Sequence, residues 1–500
     1  MLASLVLALV LSACRVEPTS LIPTAPPLNL PEQAMQRLDC DFNVPDGVKV
    51  ICGLLKVPVD YANPEGEQVD LQVTIYESES PNPEEPVVFL GFGPGTGRFF
   101  RGGFGNNLFS SFLETRDVIL YSRQNASRAD DADEPECPEI DAVAIQSLQQ
   151  VQSQATLVEQ TLEAYQTCRE RLAAAGLKLD EPTTALAAND ILTIRQALGI
   201  RQVNLLGFTY ATLVALKILN SQPDAVRSLV LTDFYPPVAI QDMETSYFNA
   251  LQRLFRTCRE DDACNSTYPE LETKFTQILT QLDGAPLELT VKHPVNPDMI
   301  TVKVNGETFL YLLREFISSD ATLPRIPLII QEIYDGGGYK LAAEVQNLLM
   351  FRFFFQQEQA IYDACNERWA ASPIESVSST GVYPALHLAL QNEYYLQSEI
   401  CSMWNQQEFN PPKVQTVTTS VPLLVLQGGY DPYVAPELVE AWLHSSSQAQ
   451  LVVFPNRGNG VFFGDDCSVN LITQFIDAPT KEVDAACAEQ GLIRFTQPIN

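Results

Sequence analysis

The sequence predicts an α/β protein, with one mostly parallel central sheet flanked by helices and a helical cap inserted into it. Three observations carry this. Short apolar runs without alternation recur at residues 86–91 (PVVFLG), 117–121 (DVILY), 202–206 (QVNLL), 226–232 (VRSLVLT), 421–427 (VPLLVLQ) and 450–455 (QLVVFP). Runs of this length and composition suit strands buried on both faces, as in a parallel sheet. Helical patterns separate them, at 157–175, at 183–198 with Thr183 or Thr184 as N-cap, and at 210–219 directly after QVNLL. Strand and helix in alternation imply right-handed crossovers in one sheet. Between about residues 236 and 412 the alternation stops. Helical stretches such as 243–258, 306–318 and 338–363 take over, and the strand pattern resumes at Val421. Ahead of all this, residues 69–76 (VDLQVTIY) alternate as an ordinary half-buried strand.

Composition bounds the function. The 500 residues exceed one average domain. Apolar residues make up 46% and charged residues 19%, as in a folded globular chain. Sixty-two acids against 31 bases give a net charge of −31. That excess argues against nucleic acid as a partner and against charge-driven docking on anionic membranes. The three histidines limit any chemistry that needs a general base.

The chain opens MLASLVLALVLSAC. The apolar run ending in Leu11-Ser12-Ala13-Cys14 resembles the lipobox of bacterial lipoproteins, which implies cleavage of a signal and acylation of Cys14. A plain secretory signal with a chance cysteine is the alternative. The run is too short to span a bilayer as a mature helix. Residues 15–35 are proline-rich and aperiodic, as expected of a tether. The organisation read from these features is a signal at 1–14, a tether at 15–35, a core at 36–235, a cap at 236–412 and the rest of the core at 413–500. The protein is expected to be exported and held at a bacterial membrane through a lipid on Cys14.

With Cys14 set aside, ten of the 11 cysteines remain. They fall as sequence neighbours: Cys40 with Cys52, Cys137 with Cys168, Cys258 with Cys264, Cys365 with Cys401, and Cys467 with Cys487. An even remainder in an exported chain reads as a disulfide set, although spacing alone does not fix the pairing. Metal binding is the alternative. No CxxC is present and histidine is scarce, so no zinc site and no cofactor are expected.

Three segments carry the chemistry. PVVFLG runs into Gly91-Phe92-Gly93-Pro94-Gly95-Thr96-Gly97. QVNLL runs into Gly207-Phe208-Thr209-Tyr210-Ala211 and a helix. VPLLVLQ runs into Gly428-Gly429-Tyr430-Asp431-Pro432. In this order they resemble the α/β-hydrolase fold, and within it the exported tripeptidyl and prolyl aminopeptidase-like proteins. The resemblance runs from about Cys40 to the C-terminus and includes Val57-Pro58-Val59-Asp60-Tyr61 and the cysteine positions. It implies an oxyanion loop at Gly93, Gly95 and Thr96 with the Tyr210 N–H, a nucleophile elbow at position 209, an acid at Asp431 and a base at position 459. It also implies that Glu367, in Cys365-Asn366-Glu367, meets a substrate's free amine; a solvated helix glutamate is the other reading.

The chain departs from that pattern at two of the three triad positions. Thr209 stands where the family has serine, and Asn459, in Pro455-Asn456-Arg457-Gly458-Asn459-Gly460, stands where it has histidine. Ala211 replaces a glycine. A serine or threonine hydroxyl is a weak nucleophile until a base takes its proton, and an amide has no basic lone pair near neutral pH. Asp431-Pro432 also reads as a simple turn. His293 and His387 fall in the cap and His444 in the helix after Asp431, where each reads as an ordinary polar residue. Two functions follow. One is a binding lipoprotein on a hydrolase scaffold, taking a peptide or small molecule in the cleft under the cap. The other is an atypical hydrolase that uses Thr209.

Overall fold

The computed structural model describes residues 35–44, 46–91, 109–123, 137–174, 183–235, 238–294, 296–352, 365, 369–370, 383–405, 419–463, 466–491 and 493–498. Strands β1 (Gln36–Leu38), β2 (Val50–Pro58), β3 (Gln68–Tyr76), β4 (Glu84–Gly91) and β5 (Arg116–Arg123) come first. Helices α1 (Pro138–Gln149), α2 (Gln154–Ala174) and α3 (Thr183–Ala197) follow. Then come β6 (Val203–Phe208), α4 (Ala211–Ser221) and β7 (Val226–Thr232). The cap region contributes β8 (Val238–Ala239), α5 (Ile240–Glu260), α6 (Asp262–Thr267), α7 (Leu271–Gly284), β9 (Leu287–Lys292), β10 (Met299–Val304), α8 (Gly306–Ser318), α9 (Ile326–Tyr334), α10 (Tyr339–Arg352), β11 (Trp369–Ala370) and α11 (Pro384–Trp404). The chain closes with β12 (Leu423–Gly428), α12 (Pro436–Leu443), β13 (Ala449–Phe454) and α13 (Asp466–Asp477).

Nine strands form one sheet in the order β1-β2-β3-β5-β4-β6-β7-β12-β13. The first four are joined antiparallel, and every pairing from β5–β4 onward is parallel. The strands on either side of the cap insertion, β7 and β12, pair directly, so the sheet is continuous across it. The central strands are mostly apolar because helices cover both faces. All six residues of β6, and all six of β12, are buried. On one face α3, α4 and α12 pack a core that includes Ile191, Val214, Leu229 and Trp442. On the other, α13 covers Phe89, Phe208, Val230 and Leu426 with Leu471 and Phe475.

The cap has its own core, built on Leu251, Leu254, Phe275, Phe309, Leu313 and Ile330. The expected helices are there, but the cap is not purely helical. Residues LELTVK and MITVKV pair as the antiparallel strands β9 and β10, whose buried residues alternate on one face. Their alternation with polar residues is the period-2 signal of a half-buried hairpin. A two-residue parallel bridge joins β8 to β11.

Five disulfides join Cys40–Cys52, Cys137–Cys168, Cys258–Cys264, Cys365–Cys401 and Cys467–Cys487. Each closes a short loop, and a bridge of this kind adds about 2–4 kcal/mol. Cys14, the tether, Gly93, Gly95, Thr96 and Glu367 lie outside the described residues. Among the described residues no helix is long and apolar enough to cross a membrane.

Candidate active site

Parallel strands place the residues that follow them on one edge of the sheet. Thr209 follows β6, Asp233 follows β7, Asp431 lies beyond β12 and Asn459 beyond β13, on four adjacent strands. The triad positions therefore share an edge, as do the ligand-facing loops of open α/β sheets in general.

The elbow is built by strain and close packing. Thr209 has φ +38°, a left-handed backbone that a β-branched residue rarely adopts. Such a residue holds about 1–3 kcal/mol of strain and persists only where its surroundings enforce it. Here the Thr209 N–H donates to the Thr232 carbonyl at 3.1 Å, and the Thr209 carbonyl accepts from the Thr212 N–H at 3.0 Å. A Cβ on Gly207 would stand 2.3 Å from that of Ala211, so the strand-to-helix turn tolerates nothing larger at 207. Tyr210 is buried and directly precedes α4. Thr209 itself is half-buried, and its hydroxyl has no hydrogen-bond partner among the described residues.

The acid is fully enclosed. Asp431 is 2% exposed, and its Oδ1 accepts from the N–H groups of Tyr433 at 2.8 Å and Val434 at 3.1 Å. Its Oδ2 accepts from Gln427 Nε2 at 2.8 Å and from Asn459 Nδ2 at 2.9 Å. Asn459 thus meets the acid as the imidazole of a working triad would, through a donated N–H. Burial pushes the Asp431 carboxyl above its ordinary range, and the four hydrogen bonds pull against it. Among the described residues no cation pairs with it.

The loop that carries Asn459 is clamped between the sheet and the cap. A Cβ on Gly428 would fall 1.6 Å from the Gly458 carbonyl oxygen, and one on Gly458 would fall 2.4 Å from that of Ser318. These contacts explain the glycines at both positions. The Asn459 N–H donates to the Ser318 carbonyl at 2.7 Å, at the end of α8. Asp320 accepts from the Gly458 N–H at 2.8 Å and from Arg457 Nε at 2.6 Å.

Three contributors escaped the sequence reading. Asp233 is buried at φ +53°, and its Oδ1 accepts from the Val461 N–H at 3.3 Å. Burial first, then the Asp431 charge, raises its pKa to about 7. Its signal was an acid ending a buried strand just before two prolines. Gln427, inside β12, links the Phe234 N–H to Asp431. Tyr433 donates its hydroxyl to Glu315 of α8, which ties the acid loop to the cap.

The three histidines are engaged with other groups or exposed. His387 lies within 2.9 Å of Glu244 through Nδ1 and 2.8 Å of Gln391 Nε2 through Nε2, so both ring nitrogens are engaged inside the cap. His444 is exposed, and His293 Nδ1 accepts from the Asn296 N–H. No group of three or more His, Cys, Asp or Glu side chains among the described residues is placed to hold a metal ion.

Comparison with known proteins agrees with this architecture. A family model described as the alpha/beta hydrolase fold matches residues 85–466. Tripeptidyl aminopeptidases of Streptomyces lividans and Streptomyces coelicolor are each 27% identical over 212 residues. Each match covers 40% of this chain and 38% of the relative, so the chain spans about two fifths of the curated relatives it matches. Among solved structures, proline iminopeptidase of Mycobacterium smegmatis is 12% identical with a TM-score of 0.36, covering 85% of this chain and 98% of that one. An esterase from Rhodococcus is 13% identical with a TM-score of 0.35, covering 86% and 98%. With the family model matching across sheet and cap alike, this aminopeptidase-like chain belongs to the α/β-hydrolase fold family.

Proposed function

We propose that the protein is an exported lipoprotein, anchored through Cys14, that keeps the hydrolase scaffold for binding a peptide or small molecule beneath the cap and has lost hydrolytic turnover. The observation that carries this is the Asn459–Asp431 hydrogen bond. An amide fills the place of the base, and its N–H is committed to the acid. It cannot take the proton of Thr209. Loss of a triad member costs on the order of 10⁴–10⁶ in turnover and leaves about 10³–10⁴ over water from the oxyanion hole and binding. Export and lipidation rest on the opening MLASLVLALVLSAC.

A second reading, a hydrolase acting through Thr209, has one observation in its favour. The positive-φ elbow is retained. The two readings separate in one experiment. Purified protein is treated with a fluorophosphonate probe and assayed on aminoacyl and ester reporters, with Thr209→Ala as control. No labelling and no Thr209-dependent turnover is expected. The double change Thr209→Ser with Asn459→His should raise reactivity more than either change alone, because nucleophile and base act as one unit. Native turnover that vanishes in Thr209→Ala would establish the second reading.

A further inference from the structure

A cavity of about 910 Å³ lies between the α1–α2 hairpin and the cap helices α8 and α11. Thr209, Asp431 and Asn459 do not line it. Its wall is largely apolar, with Ile140, Leu148, Leu157, Leu310, Leu390 and Ile400 among the lining residues. Val151 and Tyr311 also line it and are 51% and 39% exposed, which puts its opening beside them. A roomy apolar cavity with few polar groups is the usual form of a small-molecule site.

Its polar groups are unfinished. Arg314 lines the cavity and is 5% exposed. Its two terminal nitrogens donate to the Glu393 carboxylate at 2.8 and 3.0 Å. Its Nε–H has no hydrogen-bond acceptor among the described residues. Glu315 Oε1 stands 4.0 Å away and takes the Tyr433 hydroxyl instead. Gln152, elsewhere on the wall, has a buried Oε1 with no donor. Buried polar groups left unpaired are costly, and native proteins keep few of them.

Charge then selects the occupant. Glu393 already neutralises Arg314, Lys303 on the lining pairs with Glu288 at 3.6 Å, and Glu315 and Glu307 line the same cavity. Burial, with the negative charges of Asp283 and Glu393, holds the Glu307 carboxyl above its ordinary range. A carboxylate or phosphate would add an unpaired anion to this wall. A cation would approach a guanidinium and still leave the Arg314 N–H unserved.

We propose that this cavity binds a neutral, elongated apolar molecule whose amide carbonyl accepts the Arg314 Nε–H. This cavity lies apart from the triad positions, and the inference goes beyond the binding reading above. The test is calorimetric titration of the full chain with decanamide, decanoate and decylamine. Decanamide should bind at least tenfold more tightly than either charged analogue. Ala144→Trp on α1 and Ala389→Trp on α11 fill the cavity from two walls at half-buried positions. Each should weaken decanamide binding at least tenfold without moving the unfolding midpoint. Arg314→Lys keeps a charge opposite Glu393 but carries no Nε–H, and should weaken decanamide at least fivefold. Absence of decanamide binding, tighter binding of decanoate or decylamine, or unchanged affinity in both tryptophan variants would overturn the proposal. Turnover of reporter substrates by the native protein would instead defeat the reading of the triad and leave this binding result standing.

Discussion

Asp190 and Asp431 are both enclosed, at 1% and 2% exposure, yet their surroundings differ in kind. Asp190, on α3, accepts from Arg123 Nη1 at 2.6 Å and from the Tyr61 hydroxyl at 2.7 Å. It is half of an ion pair that pins α3 to the end of β5. Burial raises its carboxyl, and the Arg123 charge opposes that rise. Asp431 has four donors and none is a cation. The first aspartate has the environment of a structural charge, balanced at rest. The second has the environment of a carboxylate arranged for a partner that becomes charged only during a reaction. On the reading proposed above, Asn459 leaves that carboxylate without such a partner.

Removing half of the resting pair should have the largest effect. Asp190→Asn leaves Arg123, whose side chain is 12% exposed, without its carboxylate. Loss of about 3–5 kcal/mol is expected, read from the midpoint of urea unfolding. An effect below about 1 kcal/mol would show that the two aspartates are not different in kind. Gly428→Ala attacks the other side of the comparison, since its Cβ meets the Gly458 carbonyl. It should cost about 3 kcal/mol by displacing the Asn459 loop. The Asn459 side-chain amide protons, followed by NMR, should then lose the shift given by Asp431.

Asp233 sharpens the comparison through pH. Its folded pKa, about 7, lies above the unfolded value of 3.8. The native state therefore binds the extra proton, and stability falls as pH rises through that window. Between pH 5 and 8 this group should remove about 2 kcal/mol, and Asp233→Asn should flatten the profile. A native profile that rises over the same range would contradict the assignment. The smallest change is expected from Asp431→Asn. Its two backbone donors are still met, while the new Nδ2 faces the donors of Gln427 and Asn459, so a loss of about 1 kcal/mol should appear in thermal unfolding.

What was readable in the sequence follows the same physics. The β6 run VNLLGF and the β12 run LLVLQG were legible because strands buried on both faces leave mostly apolar stretches without alternation. Thr209, Asp431 and Asn459 were singled out through the resemblance of their segments to the α/β-hydrolase motifs, whose glycines here stand where backbones approach closely, at Gly207, Gly428 and Gly458. The β9–β10 hairpin was passed over although Leu289, Val291, Val302 and Val304 alternate in the required way, because the surrounding helical pattern outweighed two six-residue strands. Asp233 and the Arg123–Asp190 pair were not legible. Nothing local to residues 123 and 190 announces a partner 67 positions away, since burial and long-range pairing are set by the fold. The Glu244 contact of His387 was hidden for the same reason.

The attachment of residues 457–459 to Ser318 and Asp320 has a further consequence, for how the molecule opens. Protein segments exchange their amide protons in cooperative groups defined by shared contacts rather than by sequence. The loop after β13 is bonded to the last turn of α8, so it cannot be released while that turn is in place. The amides of Gly458 and Asn459 should therefore exchange with deuterium in step with the end of α8, more than a hundred residues earlier in the chain, and not in step with β13. A lid that rides on the base loop cannot swing clear of the sheet as an independent door.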